Sequence, residues 1–142
     1  MPRILIADDS QLNAELLEAH LEGTGFETKI ASNGEETLAA ARDWKPDVIL
    51  LDVMMPKLSG FEVCRRLRAD AATKGAGVLM VTALDQPTDV EQGVAAGTDD
   101  FITKPINKTE LLLRLRAMLE SRSQPTPVDR VLAYLGRVQQ GV

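Results

Sequence analysis

Residues 48–52 of this 142-residue chain read Val-Ile-Leu-Leu-Asp, four apolar residues that end in a carboxylate. Asp47 precedes the run, and Val53-Met54-Met55-Pro56 follows it. A short apolar run bounded in this way predicts a strand that is buried on both faces, and such strands belong to parallel sheets covered by helices. Ligands of open α/β sheets bind beyond the carboxyl ends of the strands. Asp52 therefore stands where a functional site is expected, although a carboxylate that merely caps a loop fits the same pattern.

Outward from this strand, strand and helix patterns alternate five times. The predicted strands are residues 3–7, 26–31, 48–52, 78–82 and 100–103, and the predicted helices are residues 11–22, 35–44, 60–70, 88–96 and 108–121. This alternation predicts an α/β fold, a doubly wound five-stranded parallel sheet with helices on both faces. In the first helix, the apolar residues expected to share one face are Leu12, Leu16, Leu17 and Leu21.

The C-terminal end has a different composition. We expect one domain at residues 1–121, a polar, proline-containing linker at 122–127 and a short amphipathic helix or tail at 128–142. Its apolar residues at helical spacing are Val128, Val131, Leu132, Leu135 and Val138. A dimer contact, docking onto the same domain and fraying all remain open for so short a helix.

Composition and charge limit the cellular compartments and the classes of partner that fit this sequence. The net charge of −5 disfavours general binding to nucleic acid. Cys64 is the only cysteine, which excludes an intramolecular disulfide and suits a reducing cytoplasm. The first residues lack a signal-peptide layout, and no apolar run approaches the ~20 residues that span a bilayer. We expect a soluble, cytoplasmic protein with no direct nucleic-acid or membrane partner.

Polar residues follow four of the predicted strands. They are Asp8 and Asp9 after the first, Asp52 at the end of the third, Thr82 at the end of the fourth and Lys104 after the fifth. Two unit charges ~4 Å apart repel by about 4 kcal/mol at an effective dielectric of about 20. Gathered carboxylates therefore need a cation, and Mg²⁺ prefers such oxygen ligands. A carboxylate, a metal, a lysine and a hydroxyl are the parts that phosphoryl transfer to an aspartate requires.

With these residues the sequence resembles the receiver domain of two-component response regulators, over residues 3 to about 121. The resemblance rests on Asp8-Asp9, on residues 52–56 with Gly60 behind them, on Thr82-Ala83 and on Lys104-Pro105. It implies a flavodoxin-like fold with Asp52 as the phosphoacceptor.

The resemblance also assigns the metal site. Asp9 and Asp52 would ligate Mg²⁺ directly, with Asp8 acting mainly through water and the backbone carbonyl of Met54 completing the protein ligands. Met54 and Leu84 are apolar where receivers often carry polar groups that position the attacking water. We therefore hypothesise slow self-dephosphorylation.

The same resemblance assigns the switch. Thr82 and Lys104 would bind phosphoryl oxygens, and the Lys104–Pro105 bond would be cis. Phe101 occupies the aromatic switch position, although an ordinary packed core aromatic fits there too. The responding surface would comprise the fourth helix, fifth strand and fifth helix.

Several functions fit these residues. The first is a signalling module that receives a phosphoryl group from a sensor histidine kinase or phosphotransfer protein, controls an effector protein and dimerises on phosphorylation. The second is the receiver portion of a longer regulator whose output domain is enzymatic or DNA-binding. A Mg²⁺-dependent aspartyl-phosphate phosphohydrolase is disfavoured because Met54 replaces the second acid such enzymes use. An unphosphorylated pseudo-receiver is disfavoured because every site group is present. We expect no enzymatic activity beyond self-phosphorylation and self-dephosphorylation.

Two further predictions concern the third helix. Cys64 lies on the apolar stripe of Phe61 and Leu67, so we expect a core residue rather than a reactive thiol. The basic residues of this helix, which we expect to form a solvated face, are Arg65, Arg66 and Arg68.

Overall fold

A computed structural model describes residues 1–83 and 87–121, together with Leu135. The strands are β1 (Arg3–Ala7), β2 (Glu27–Ala31), β3 (Val48–Asp52), β4 (Gly77–Thr82) and β5 (Asp100–Thr103). The helices are α1 (Gln11–His20), α2 (Gly34–Trp44), α3 (Gly60–Ala69), α4 (Pro87–Ala96) and α5 (Lys108–Ser121). The alternation of five strands and five helices is the predicted one, and no bound differs from prediction by more than two residues.

The strands form one parallel sheet in the order β2-β1-β3-β4-β5. Every residue of the central strand β3 is buried. In the register, Leu51 lies opposite Ala7 of β1 and Met80 of β4. The strand order reverses between β1 and β3, and open α/β sheets bind ligands at such a switch point. The ends of β1 and β3 therefore mark the site.

Successive side chains of a strand point to opposite faces, and both faces of this sheet are buried. Leu5, Ile49 and Met80 belong to a core cluster that also contains side chains of α2 and α3. Their neighbours on the other face, Ile4 and Leu50, are fully buried as well. Helices α2, α3 and α4 contact one another in that order, and α1 contacts β1. The predicted doubly wound parallel sheet is confirmed.

Polar caps start three of the helices directly after strand ends or short loops. The side chains of Ser10, Asn33 and Ser59 accept hydrogen bonds from backbone N–H groups of the first turns of α1, α2 and α3. Each such cap stabilises a helix by about 1 kcal/mol. The caps of α1 and α3 thereby fix the chain just beyond the acidic ends of β1 and β3.

The predicted face of α1 was wrong in part. Leu17 and Leu21 are buried, but the side chains of Leu12 and Leu16 are 66% and 53% exposed. The buried stripe is completed by Ala14. At 3.6 residues per turn, Leu12 and Leu16 lie nearly half a turn around the helix from that stripe. Leucine identity is a weaker guide to the inward face than angular position.

The chain divides into two compact units, Met1–Pro105 and Ile106–Val142. The first contains the sheet and α1 to α4, and the second begins with α5, in which Leu111 and Leu115 are fully buried. The predicted linker at 122–127 and C-terminal helix at 128–142 lie outside the described residues, apart from Leu135. None of the helices in the described part of the chain combines the length and apolar character that a bilayer span requires.

Candidate functional site

Three carboxylates meet at the ends of two adjacent strands. Asp8 directly follows β1, Asp52 is the last residue of β3, and Ala7 lies opposite Leu51 in the register. One carboxylate oxygen from each of Asp8, Asp9 and Asp52 lies within 4.8 Å of the others. Asp8 and Asp52 are buried, whereas Asp9 is exposed. The structure therefore brings together the three acids that the sequence placed at strand ends.

The buried position of Asp52 increases the proton affinity of its carboxyl group. Burial raises the pKa of this carboxyl group above its ordinary value, and the nearby charge of Asp8 raises it further. The Lys104 ammonium and the Met54 N–H lower the pKa, while Asp9 raises it by a smaller amount. The Met54 N–H donates to Asp52 Oδ1 at 3.2 Å. Without a further cation, the surroundings of Asp52 therefore disfavour its ionised form.

One oxygen of Asp8 lacks a hydrogen-bond donor. Asp8 Oδ1 accepts from the Ser10 N–H at 2.9 Å, but the buried Oδ2 has no hydrogen-bond partner among the described residues. The Lys104 Nζ lies 3.8 Å from Asp8 Oδ2, which is beyond hydrogen-bond distance. A buried carboxylate oxygen in this state is costly. A divalent cation fits the site, because it would satisfy this oxygen and neutralise its neighbours.

Lys104 and Thr82 complete the polar groups at this edge. The Lys104 N–H donates to the Thr82 carbonyl oxygen at 2.8 Å, which continues the β4–β5 pairing beyond Thr103. The Lys104 Nζ lies 3.6 Å from Asp52 Oδ1 and 3.8 Å from Asp8 Oδ2. Thr82 is buried at the end of β4. The Lys104–Pro105 peptide bond is cis, as the resemblance implied.

Phe101 lies in β5 opposite Met80, and it packs partly buried against the core cluster. Its ring lies against the main chain of α4 at Gly93, where a Cβ atom would approach Phe101 Cε1 to 2.6 Å. This contact describes a packed aromatic residue that touches α4. A switch role for Phe101 stays a prediction.

Sequence reasoning did not predict two exposed apolar side chains in the segments that follow β1 and β3. The side chains of Leu12, near the start of α1, and Met54, two residues after Asp52, are 66% and 64% exposed. The angular position of Leu12 on the helix was the available signal. Leu84, the other apolar residue predicted near the phosphoacceptor, lies outside the described residues.

Comparisons with known proteins agree with this geometry. The family model for the response regulator receiver domain matches residues 4–116. The DNA-binding dual master transcriptional regulator RpaA of Synechocystis is 46% identical over 119 residues, which are 84% of this chain and 49% of RpaA. The DNA-binding response regulator MtrA of Mycobacterium tuberculosis is 42% identical over 127 residues, which are 89% of this chain and 54% of MtrA. The chain thus spans about half the length of these relatives.

Solved structures give the same result. The chemotaxis protein CheY4 of Vibrio cholerae superimposes with a TM-score of 0.78 at 34% identity, covering 82% of this chain and 97% of CheY4. The receiver domain of the sensor histidine kinase PA1611 from Pseudomonas aeruginosa gives a TM-score of 0.78 at 27% identity, covering 84% of this chain and 98% of that domain. That structure contains a magnesium ion coordinated in its active-site cleft. The family match, together with these relatives, shows that the chain belongs to the response regulator receiver domain family.

Proposed function

We propose that this chain is a phosphoacceptor module of a two-component system, in which Asp52 receives a phosphoryl group in a Mg²⁺-dependent reaction. The observation that carries the proposal is the cluster of Asp8, Asp9 and Asp52 with the Lys104 ammonium beside it. Within this cluster, Asp8 Oδ2 has no hydrogen-bond partner among the described residues. A partly buried acidic cluster with a lysine ammonium at its edge suits a site that takes up a divalent ion and an anion together.

The donor set supports the choice of magnesium. Asp9 and Asp52 would hold Mg²⁺ together with the Met54 backbone carbonyl, and Asp8 would act through a water molecule. These are hard oxygen ligands, which Mg²⁺ prefers, and it commonly keeps several waters. When bound, the ion would neutralise the carboxylates and the negative charge of the transferring phosphoryl group. The magnesium-containing cleft of the PA1611 receiver domain supports the same assignment here.

Asp52, Lys104 and Thr82 would take different roles in the phosphoryl transfer. A carboxylate oxygen of Asp52 would attack the phosphorus of a phosphohistidine, so that an O–P bond forms while the N–P bond breaks. The bonding electron pair leaves with the imidazole nitrogen of the donor. The Lys104 ammonium, 3.6 Å from Asp52 Oδ1, is placed to bind a phosphoryl oxygen. The hydroxyl of Thr82, at the neighbouring strand end, is proposed to donate to another.

The added charge would then move the groups that bind it. A phosphoryl group carries about −1.5 to −2 charges at neutral pH, which would draw Thr82 and Lys104 towards Asp52. Phe101 follows Thr82 into the space it leaves, and the ring already touches α4 at Gly93. Shifting a two-state equilibrium from about 1:99 to 99:1 takes about 5.5 kcal/mol. Several charge-assisted hydrogen bonds can supply this energy.

The partners would be proteins. The family relation supports a sensor histidine kinase or phosphotransfer protein as donor, and the exposed Met54, two residues after Asp52, offers it an apolar contact. On the output side, Val90 and Val94 of α4 are exposed large apolar residues, which supports an effector protein that contacts α4 and β5. The net charge of −5 disfavours direct binding of DNA by this chain.

A second candidate is the receiver portion of a longer regulator. The observation that favours it is the length of RpaA and MtrA, both named as DNA-binding and both about twice as long as the matched region. In that case the acceptor chemistry at Asp52 is unchanged, and the effector is a domain of the same protein. Catalytic turnover of other phosphorylated substrates is not proposed, because Met54 cannot act as a general acid or base.

The test is phosphoryl labelling of the purified chain with acetyl phosphate, followed by intact mass and peptide mapping. We expect one phosphoryl group per chain in the presence of Mg²⁺, mapped to Asp52 and absent in Asp52→Asn. The matched control is Asp43→Asn, which removes an exposed carboxylate of α2 and should label like the parent. Labelling that persists in Asp52→Asn would place the acceptor at another residue.

A further inference from the structure

The first residue of α3, Gly60, lies against the main chain of the phosphoacceptor. A Cβ atom at Gly60 would overlap the Asp52 carbonyl oxygen and approach Val53 Cα to 2.8 Å. Both obstructing atoms belong to the backbone of β3 and the residue after it. They cannot rotate away as the tip of a flexible side chain could. Any residue larger than glycine must therefore separate the start of α3 from the end of β3.

Hydrogen bonds join the same two segments into a closed loop. The Gly60 N–H donates to the Val53 carbonyl oxygen at 2.9 Å, so the loop that carries Met54 begins and ends at one contact. The Val53 N–H donates to the Val81 carbonyl oxygen at 3.3 Å, which fixes the start of the loop to β4. From inside the loop, the Met54 N–H donates to Asp52 Oδ1 at 3.2 Å.

The position of Met54 thus depends on how closely Gly60 approaches Val53. If the proposed function holds, the Met54 backbone carbonyl is a metal ligand and the Met54 N–H orients the acceptor carboxylate. Metal–ligand distances tolerate deviations of only about 0.2 Å. Opening the loop by the displacement that a methyl group demands would exceed this tolerance.

We propose that Gly60 is a positioning residue of the phosphoacceptor site, whose lack of a side chain holds the Met54 loop in the geometry that binds Mg²⁺. This proposal rests on the proposed function. It assigns Gly60 no contact with the ion or the phosphoryl group. The residue acts through Asp52, Val53 and Met54, whose main-chain positions it fixes.

Gly34 provides a matched control, because it is the first residue of α2 and also follows a side-chain cap. A Cβ atom at Gly34 would approach Leu58 Cβ and Cδ2 to 2.8 Å and Val63 Cγ2 to 2.9 Å. These are side-chain atoms, and Leu58 belongs to the same loop as Met54. Gly34→Ala therefore crowds a helix start beside this loop without touching the main chain of Asp52.

The experiment compares the full chain with Gly60→Ala and Gly34→Ala. Thermal unfolding followed by circular dichroism measures stability, and isothermal titration calorimetry measures the Kd for Mg²⁺. We expect Gly60→Ala to weaken Mg²⁺ binding about tenfold or more, as supporting groups of metal sites do when altered. Gly34→Ala should bind Mg²⁺ with the Kd of the parent, even if its thermal stability differs. A merely structural role for Gly60 would lower stability and leave the Kd unchanged.

The outcomes separate the two proposals. If the parent binds Mg²⁺ and Gly60→Ala binds it equally well, the positioning role is overturned and the proposed function stands. If the parent binds no Mg²⁺, the proposed function is overturned, and the positioning role is overturned with it. Equal weakening in Gly60→Ala and Gly34→Ala would also overturn the positioning role, because crowding of any helix start beside the loop would then suffice.

A measurement on the parent chain covers the case in which Gly60→Ala does not fold. Amide hydrogen exchange followed by NMR would compare Gly60 with Thr37, whose N–H donates to the Asn33 carbonyl oxygen at 3.0 Å in the first turn of α2. We expect Mg²⁺ to slow exchange at Gly60, because binding at Met54 stabilises the closed loop, and to leave Thr37 unchanged. An unaltered Gly60 rate at saturating Mg²⁺ would overturn the proposal.

Discussion

At the scale of single residues, Asp52 combines burial with a raised pKa. Burial and the charge of Asp8 raise the pKa of this carboxyl group above its value in the unfolded chain. Above the unfolded value, ionised Asp52 therefore costs the folded state free energy. That cost shrinks as the pH falls below the raised folded pKa, and it disappears below the unfolded value, where both states are protonated. An ionised Asp52 carboxylate therefore destabilises the metal-free protein.

We predict that Asp52→Asn raises the Tm of the metal-free protein at pH 7, because the amide removes a buried charge beside Asp8. The difference should shrink as the pH falls towards about 4, the ordinary range of a carboxyl group. Thermal unfolding in EDTA across this pH range measures it. A lower Tm for Asp52→Asn at pH 7, or a difference independent of pH, would contradict the prediction.

Met54 supports a prediction about phosphoryl lifetime. Hydrolysis of an aspartyl phosphate requires an oriented water molecule, and the thioether of Met54 is too weak an acceptor to orient one. We expect the phosphoryl mass to persist for minutes or longer after the phosphodonor is removed. Met54→Asn, which supplies a hydrogen-bonding group at the same exposed position, should shorten this time. A half-life of seconds for the parent would count against it.

Residue-scale sequence reasoning succeeded where position along a strand fixes position in space. Asp8, Asp52 and Lys104 follow parallel strands, and parallel strands end at one edge of a sheet, so their proximity was predictable. The lack of a hydrogen-bond partner for Asp8 Oδ2 within the described part of the chain was not predictable, because it depends on which backbone N–H groups reach each oxygen. The close contact of Gly60 was not predictable either, since it depends on the path of the loop between β3 and α3.

At the scale of elements, Arg68 joins α3 to the segment that leads into β4 and to the turn after α4. Its guanidinium donates to the Gly97 carbonyl at 2.8 Å, to the carbonyls of Lys74 and Ala76, and to Asp99 Oδ2 at 2.8 Å. The Asp99 carboxylate also accepts from the Val78 N–H. These bonds tie the end of α3 to the start of β4 and to the turn after α4.

We predict that Arg68→Met lowers the free energy of unfolding by about 2–3 kcal/mol, because it removes several hydrogen bonds to a charged donor and leaves partly buried carbonyls unsatisfied. The matched control is Arg66→Met, whose exposed ion pair with Glu62 spans 3.5 Å on the helix surface. That change should cost about 0.5 kcal/mol or less. Denaturant titration measures both, and equal losses would contradict a special role for Arg68.

The comparison of Arg68 with Arg65 and Arg66 shows where a prediction made from one helix alone fails. The expected solvated basic face is correct for Arg65 and Arg66, which are exposed and paired with Glu62 on their own helix. It is wrong for Arg68, because Gly97 and Asp99 lie 29 and 31 residues further along the chain. Helical periodicity reports the neighbours within a helix, not the loops that another element brings to it.

The prediction that Cys64 is a core residue was correct, and burial raises the pKa of its thiol to about 11.

At the scale of the whole molecule, the alternation of strand and helix patterns along the chain was enough to predict a parallel sheet. Continuous apolar strands separated by amphipathic helices leave few arrangements besides a doubly wound parallel sheet, and the observed order β2-β1-β3-β4-β5 is one of them. Pattern alone did not predict the order, because it fixes which strands are buried rather than which are neighbours. The flavodoxin-like fold that the resemblance implies has this order. The domain bounds at residues 121 and 127 stay predictions, as does a dimer contact through the C-terminal segment.

The most direct measurement is a crystal structure of the chain grown with Mg²⁺ and beryllofluoride, a mimic of the phosphoryl group. We predict one metal ion beside Asp9, Asp52 and the Met54 carbonyl, the mimic on Asp52, and Lys104 and Thr82 in contact with it. Acidic side chains that point apart with no ion between them, or a mimic bound away from Asp52, would contradict the central claim that these carboxylates form a magnesium-dependent phosphoacceptor.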